Sequence, residues 1–356
     1  MLKNDVRKLL FEGTVIPAHP LALTAERELD EKRQRALTRY YMDAGAGGIA
    51  VGVHTTQFEI RDPKFGLYEK VLALAAEEVN RAHLNRPFIK VAGIAGSTDQ
   101  AEKEAKVAKE LGYDLGLLSM GGLDGYSETE ILNRVKRVAD IMPVFGFYLQ
   151  PSVGGRVFSY DFWRKFADVE NVVAIKMAPF NRYQTLDVVR AVCHSERRDS
   201  IALYTGNDDN IVNDLLTVYR INVNGTPIEK GIVGGLLGHW AVWTNKAVNL
   251  FNKIKVAREQ GEIPVELLTL AQEVTDSNGA FFDSANRFKG CIAGINEVLA
   301  RQGLLQGNWC LLEKEELSEG QGDEITRVYS EYPHLNDDDF VRKNLNKWLD
   351  IKGAKI

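Results

Sequence analysis

Residues 171–179 read Asn-Val-Val-Ala-Ile-Lys-Met-Ala-Pro, a short apolar run rich in β-branched residues with one lysine near its far end. Such a run reads as a buried strand. Side chains alternate faces along a strand, so Val172, Ala174 and Lys176 share one face and Val173, Ile175 and Met177 the other. An amine in water has a pKa near ~10.4 and is almost wholly protonated at neutral pH. Burial among apolar groups disfavours the charged form, and so can turn a lysine into a nucleophile able to form a Schiff base with a carbonyl. The alternative is a strand-end lysine that lays its stem on the core and its head in water.

Working outward, the same unit recurs on both sides. A first strand over 13–18 (GTVIPA) is followed by a helix over 28–44 and a second strand over 45–53 that ends in His54-Thr55-Thr56. Helix 67–83 leads to strand 88–94, helix 98–111 to strand 114–118, and helix 127–140 to strand 144–149. Helix 161–167 then precedes the lysine strand, 172–176. Beyond it come helix 184–193, strand 201–204, helix 208–219, strand 231–233 and helix 240–256. Eight strand-and-helix units in about 250 residues predict an α/β fold, a (β/α)8 TIM barrel. A doubly wound sheet usually stops at five or six strands. The pattern is helical only from Val265 onward, with segments 265–275, 293–302, 323–331 and 338–349 and an exposed loop over 313–323. The expected organisation is a barrel over 10–258 and a C-terminal helical extension over 259–356 packed on it.

Composition narrows the class. The chain has 356 residues, 45% of them apolar, and 44 basic against 49 acidic groups give a formal charge of −5. This charge is spread along the sequence and leaves no nucleic-acid footprint or polybasic membrane patch. Cys193, Cys291 and Cys310 are an odd number without close pairing, which argues against a disulfide framework or a cysteine zinc site and fits a reducing, cytoplasmic setting. The N-terminus MLKNDVRKLLFEG is charged throughout and lacks a signal-peptide core. No stretch reaches the ~20 apolar residues of a spanning helix. Gly45-Ala46-Gly47-Gly48 leads from helix into strand, the reverse of a dinucleotide fingerprint, so no nicotinamide cofactor is expected.

A barrel places its chemistry at the C-terminal ends of the strands. Lys176 ends the sixth strand, whereas Lys90 and Lys230 fall at the opposite, stability-bearing end. On strand five the smaller residues Val144 and Gly146 share a face with Tyr148, and that face is expected to line the interior. Adjacent strands lie ~4.8 Å apart, so the Tyr148 hydroxyl would shuttle protons beside Lys176, or else fill the barrel mouth with a structural hydrogen bond. Thr55 and Thr56 offer hydroxyls and turn amides for a carboxylate. Strand seven ends Tyr204-Thr205-Gly206-Asn207-Asp208, where Gly206 permits close backbone approach; Gly206 and Asp208 are candidate substrate contacts, with capping of the next helix the other role for Asp208. The Gly231–Gly235 stretch would cradle a phosphate or leave room for a bound substrate.

With Thr55-Thr56, Tyr148, Lys176 and Gly206 in this order, the chain resembles the dihydrodipicolinate synthase / N-acetylneuraminate lyase family of class I aldolases. GTVIPAHP, GVHTTQFE, FYLQPSVGG, NVVAIK and LYTGND carry the resemblance over roughly residues 10–305. It implies a Schiff base between Lys176 and the keto carbon of a 2-oxo acid such as pyruvate, with proton relay by Tyr148 and Thr55. It further implies carboxylate binding by Thr55 and Thr56, a site lined by Ile232, no metal or cofactor, and a homo-oligomer, dimer or tetramer. Departures mark a divergent member rather than an authentic dihydrodipicolinate synthase. Leu118-Ser119-Met120-Gly121-Gly122 replaces the synthases' Tyr-Tyr pair, and Ser-Val-Gly-Gly stands where a substrate-binding arginine is expected, with Arg156 close by. Gln57-Phe58 displaces Glu59, and His19 replaces a threonine. The alternatives are a non-catalytic barrel that binds a small oxo acid, authentic dihydrodipicolinate synthesis, and a metal-dependent hydrolase built on His19, His54, Asp208 and His239.

Overall fold

The computed structural model describes residues 2–350. Among these, nine strands are β1 (Val15–Pro17), β2 (Gly48–Val51), β3 (Ile89–Ile94), β4 (Leu115–Ser119), β5 (Val144–Leu149), β6 (Val172–Ala178), β7 (Ala202–Thr205), β8 (Val218–Val223) and β9 (Thr226–Leu237). The α-helices are α1 (Asn4–Glu12), α2 (Glu31–Asp43), α3 (Tyr68–Arg81), α4 (Thr98–Glu110), α5 (Glu128–Ala139), α6 (Tyr160–Ala167) and α7 (Arg182–Cys193). They continue with α8 (Ile211–Leu216), α9 (Thr244–Gln260), α10 (Glu266–Phe281), α11 (Cys291–Arg301), α12 (Gln321–Glu331) and α13 (Asp338–Leu349).

The sheet runs β1-β9-β7-β6-β5-β4-β3-β2, with β8 attached only to β9. A parallel bridge between Ala18 and Ala50 sets β1 beside β2, so the eight parallel strands form a (β/α)8 barrel followed by further helices. Strands β1 to β7 are buried on both faces, which is why they read as near-continuous apolar runs. Side-chain caps start five of the helices that follow the strands. Asp30, Ser97, Ser127, Ser159 and Asn181 each accept a backbone N–H three residues on, and Ser127 with Glu130 completes a reciprocal capping box.

Two expectations are corrected here. The helix expected over 208–219 is only the six-residue α8, and the eighth barrel strand, expected over 231–233, is part of the much longer β9, whose first half lies outside the barrel. Val218–Val223 pairs antiparallel with Thr226–Gly231 instead of continuing the helix. The cause is local: Asn224 and Gly225 both take positive φ, 51° and 86°, the two-residue turn that matches the twist of a hairpin. The charged N-terminal stretch forms α1, whose Leu10 carbonyl accepts the Tyr204 hydroxyl at 2.8 Å.

The contacts fall into two compact units. One gathers the chain up to Thr14 with Ile89–Leu236; the other gathers Val15–Phe88 with the chain from Leu237 onward. In the first, Gly93, Leu117, Phe145, Ala174 and Ala202 follow one another along the β3–β7 ladders, and so do Ser119, Phe147, Lys176 and Tyr204 from β4 to β7. In the second, α13 packs on α2 through Trp348, Phe340 and Tyr40, whose rings lie 5.3–6.3 Å apart.

Candidate active site around Lys176

Lys176 is the fifth residue of β6 and only 7% exposed. Its amine lies 4.3 Å from the centre of the Phe147 ring, its partner across the β5–β6 ladder. On the other side its stem runs over Gly206. A Cβ there would lie 2.4 Å from Lys176 Cε and 2.9 Å from Ala178 Cβ, so only glycine leaves the lysine its path. Tyr204, level with Lys176 across the β6–β7 ladder, packs edge to face on Phe145 of the layer below, with ring centres 5.2 Å apart. These apolar surroundings lower the amine from its ordinary value to about 8, against the opposing pull of the Asp208 carboxylate. A useful fraction of the amine is therefore neutral at physiological pH.

Tyr148 is not beside this amine. Phe147 pairs with Lys176 while Tyr148 pairs with Met177, on the opposite face. The Tyr148 ring packs 4.9 Å from Trp163 of α6 and 6.1 Å from Phe158, and burial raises its phenol above the usual range. The expectation that Val144, Gly146 and Tyr148 line the interior is thus reversed. Gly146 is small because Phe166 of α6 presses on it; a Cβ would meet that ring at 2.5 Å. Inside the barrel the bulk comes from Phe145 and Phe147, and space is left by Ala174 and Gly206.

Other predicted residues also shift. Ile232 pairs with Leu203, which pairs with Ile175, and so shares the helix-facing side rather than the interior. Gly234 and Gly235 lie within β9, and a Cβ on Gly234 would collide with the Thr14 backbone and the Tyr204 ring. Asp208, 8% exposed, does not cap α8, whose N-cap is Asn210. The loop carrying Gly206 and Asp208 is held by a network that the sequence reading missed. Thr205 Oγ1 and Asn207 Nδ2 donate to Asp214 at 2.7 and 2.9 Å, Arg182 pairs with the same carboxylate, and Asn207 accepts the Phe180 N–H at 3.0 Å. Arg156 donates to the Leu123 and Tyr126 carbonyls and lies over the Phe158 ring. Lys90 lies early in β3, and Lys230 donates to the Arg198 carbonyl, so neither competes with Lys176.

In the second unit Thr55 and Thr56 end a short 3-10 turn after β2. The Thr56 hydroxyl is saturated: it accepts the Gly52 and Val53 N–H groups and donates to the His19 carbonyl at 2.6 Å. The expected carboxylate contact through that hydroxyl is therefore not available in this arrangement. Thr55 gives its proton to the Ala18 carbonyl at 2.8 Å, which leaves it an acceptor. Gln57, at φ 68°, accepts the Leu311 N–H. His19 is enclosed by Pro20, Thr38 and Gln34, and burial lowers its imidazole to about 4. His239, stacked on Phe281, is likewise lowered to about 4 by burial. His54 is half-buried beside Phe58. Among the described residues no group of three or more His, Cys, Asp or Glu side chains is placed to hold a metal ion, and no helix is long and apolar enough to cross a membrane.

No protein-family model matches the chain. A stretch of 142 residues, 39% of the chain, is 32% identical to the 4-hydroxy-tetrahydrodipicolinate synthase of Clostridium novyi (strain NT) and spans 46% of that protein's length. Solved structures match far more of the fold. A prophage protein of the dihydrodipicolinic acid synthase family from E. coli K12, in complex with pyruvate, superposes with a TM-score of 0.71 at 18% identity over 92% of this chain and 99% of its own. The N-acetylneuraminate lyase of Fusobacterium nucleatum, complexed with pyruvate, gives 0.71 at 15% identity over 92% and 99%. The dihydrodipicolinate synthase of Oceanobacillus iheyensis gives 0.71 at 18% over 93% and 100%. The chain thus has the barrel of the dihydrodipicolinate synthase and N-acetylneuraminate lyase proteins, and its partial sequence match to one of them fits a divergent member of that family.

Proposed function

We propose that this protein is a class I aldolase or lyase in which Lys176 forms a Schiff base with a 2-oxo acid such as pyruvate, for aldol cleavage, condensation or dehydration. The observation that carries the reading is the Lys176 amine itself: buried at the C-terminal end of a barrel strand, set against Phe147 and lowered to about 8. Attack by its neutral form on the keto carbon, followed by loss of water, gives an iminium that acts as an electron sink for bond making or breaking at the neighbouring carbon. The family barrel supports Schiff-base chemistry in general, and the pyruvate complexes of two fold relatives favour a small oxo acid. Tyr204, the other ladder neighbour of Lys176, gives its hydroxyl to the Leu10 carbonyl, and Ser119 lies two strands away beyond Phe147; Tyr148 would act on the amine only after leaving the helix layer. We extend the proposal to a homo-oligomer in a reducing, cytoplasmic setting, in keeping with three buried free cysteines.

Borohydride reduction in the presence of pyruvate, followed by intact-mass measurement, tests this. The wild type is expected to gain one pyruvyl adduct and Lys176→Ala none. A wild type that takes up neither pyruvate nor longer 2-oxo acids would favour the second reading, a barrel that binds an oxo acid without turning it over. The turned-away Tyr148 is the specific observation in its favour.

A further inference from the structure

A Schiff-base site meets two opposed electrostatic demands. The attacking amine must be neutral, and apolar surroundings serve that need. The species it forms is a cation. The neutral amine adds to the keto carbon, and one proton passes from nitrogen to the new oxygen. A second proton, from water, reaches the same oxygen, and water departs as the C=N bond forms. The positive charge is then shared between nitrogen and carbon. The burial that freed the amine now opposes that charge.

The structure sets an aromatic face against this nitrogen. Lys176 Nζ lies over the Phe147 ring, 4.3 Å from its centre. The contact is fixed from two sides. Phe147 is the ladder partner of Lys176 and only 2% exposed, so the ring is held in a dry layer. On the neighbouring strand Gly206 clears the lysine stem, since a Cβ there would lie 2.4 Å from Cε and 3.0 Å from Cγ. An aromatic face attracts cations, and more strongly where water is excluded. It does not serve all cations alike. An ammonium presents three N–H donors, for which the ring supplies no lone pair. An iminium is planar, keeps one N–H and spreads its charge, so it can lie flat on the ring as a guanidinium does.

We propose that Phe147 is a catalytic residue whose ring face stabilises the iminium formed on Lys176, in preference to the ammonium from which the site starts. This rests on the reading of Lys176 as the imine-forming amine. Phe147 then supplies binding energy to the intermediate that it withholds from the resting state. A ring that merely walls off water makes a different prediction, because any apolar side chain would serve. A ring that attracts ammonium and iminium alike makes a third. Its loss would lower the bend of the pH profile more than it weakens pyruvate, because both sides of the equilibrium carry one positive charge.

The experiment measures the pyruvate concentration that half-saturates the adduct at pH 7, by borohydride quench and intact mass. It compares the wild type, Phe147→Leu and chains carrying mono-, di- or trifluorinated phenylalanine at position 147. Fluorine draws charge from the ring with little change of shape. Pyruvate weakening stepwise along the series, to about 10- to 30-fold in the trifluorinated chain and in Phe147→Leu, would support the assignment, provided that the affinity falls further than the bend near 8. A bend that moves further than the affinity would overturn the preference for the iminium. Equal half-saturation throughout would overturn the assignment and leave the imine reading intact. So would a loss confined to Phe147→Leu, since lost packing then accounts for it. Should Phe147→Leu fail to fold by circular dichroism, the fluorinated chains decide. A wild type that forms no adduct overturns both readings.

Discussion

The chemistry proposed for Lys176 depends on how little of its amine is charged. Because burial lowers that amine to about 8, the neutral nucleophile grows tenfold per unit as pH rises toward that value and levels off above it. The initial rate of borohydride-trapped pyruvate adduct should therefore climb between pH 6 and 8 and flatten by about pH 9. A lysine with the ordinary value near ~10.4 would still be climbing there, so a profile without a bend near 8 would argue against the buried setting. Lys176 was legible in the sequence because β-branched neighbours announce a buried strand and the eightfold repeat places its end. The orientation of Tyr148 was not legible. Alternation divides Phe147 from Tyr148, but nothing in a strand buried on both sides says which face is the interior.

At the level of elements, β5 and α6 decide that question together. Gly146 exists to admit Phe166, so the smaller face of this strand turns toward the helix and the bulky face toward the barrel. Gly146→Ala should cost about 1–3 kcal/mol through overpacking, read as a lower denaturant midpoint in urea, and Phe166→Leu in the same chain should recover part of it. If Gly146→Ala proved neutral, the packing of α6 on β5 would have to be looser than described. The hairpin β8–β9 carries a related lesson. Asn224-Gly225 between two alternating runs is a strong local signal for a turn. In the fold it prevails over the helix expected in that crossover.

For the whole molecule, the C-terminal helices are more than an appendage to the strand-and-helix cycle. Within their unit, Trp348 of α13 is almost fully buried against Tyr40 and Phe340 and donates its indole N–H to Asp43 at 2.7 Å. Tyr40 in turn donates to Asp337, which also accepts the Gln302 amide and the Asn245 N–H. Trp348→Ala should therefore cost about 3–5 kcal/mol, measured by chemical denaturation, with pyruvate trapping retained at temperatures where the chain stays folded. A loss below 1 kcal/mol would mean that α13 contributes little to the stability of α2.

The sequence by itself determined the barrel, the strand that carries the lysine and the end of the barrel at which it emerges. Each of these follows from periodicity and order along the chain. Only the tertiary structure decided that Phe147 and Gly206 flank the amine, that Tyr148 and Ile232 face the helices, and that the Thr56 hydroxyl is already spent on its own loop. The physical reason is common to all of them. A parallel strand covered on both faces is apolar on both faces, so its inward side is chosen by which side chains its neighbours leave room for, and a loop hydroxyl is claimed by whichever buried backbone groups the fold leaves without a partner.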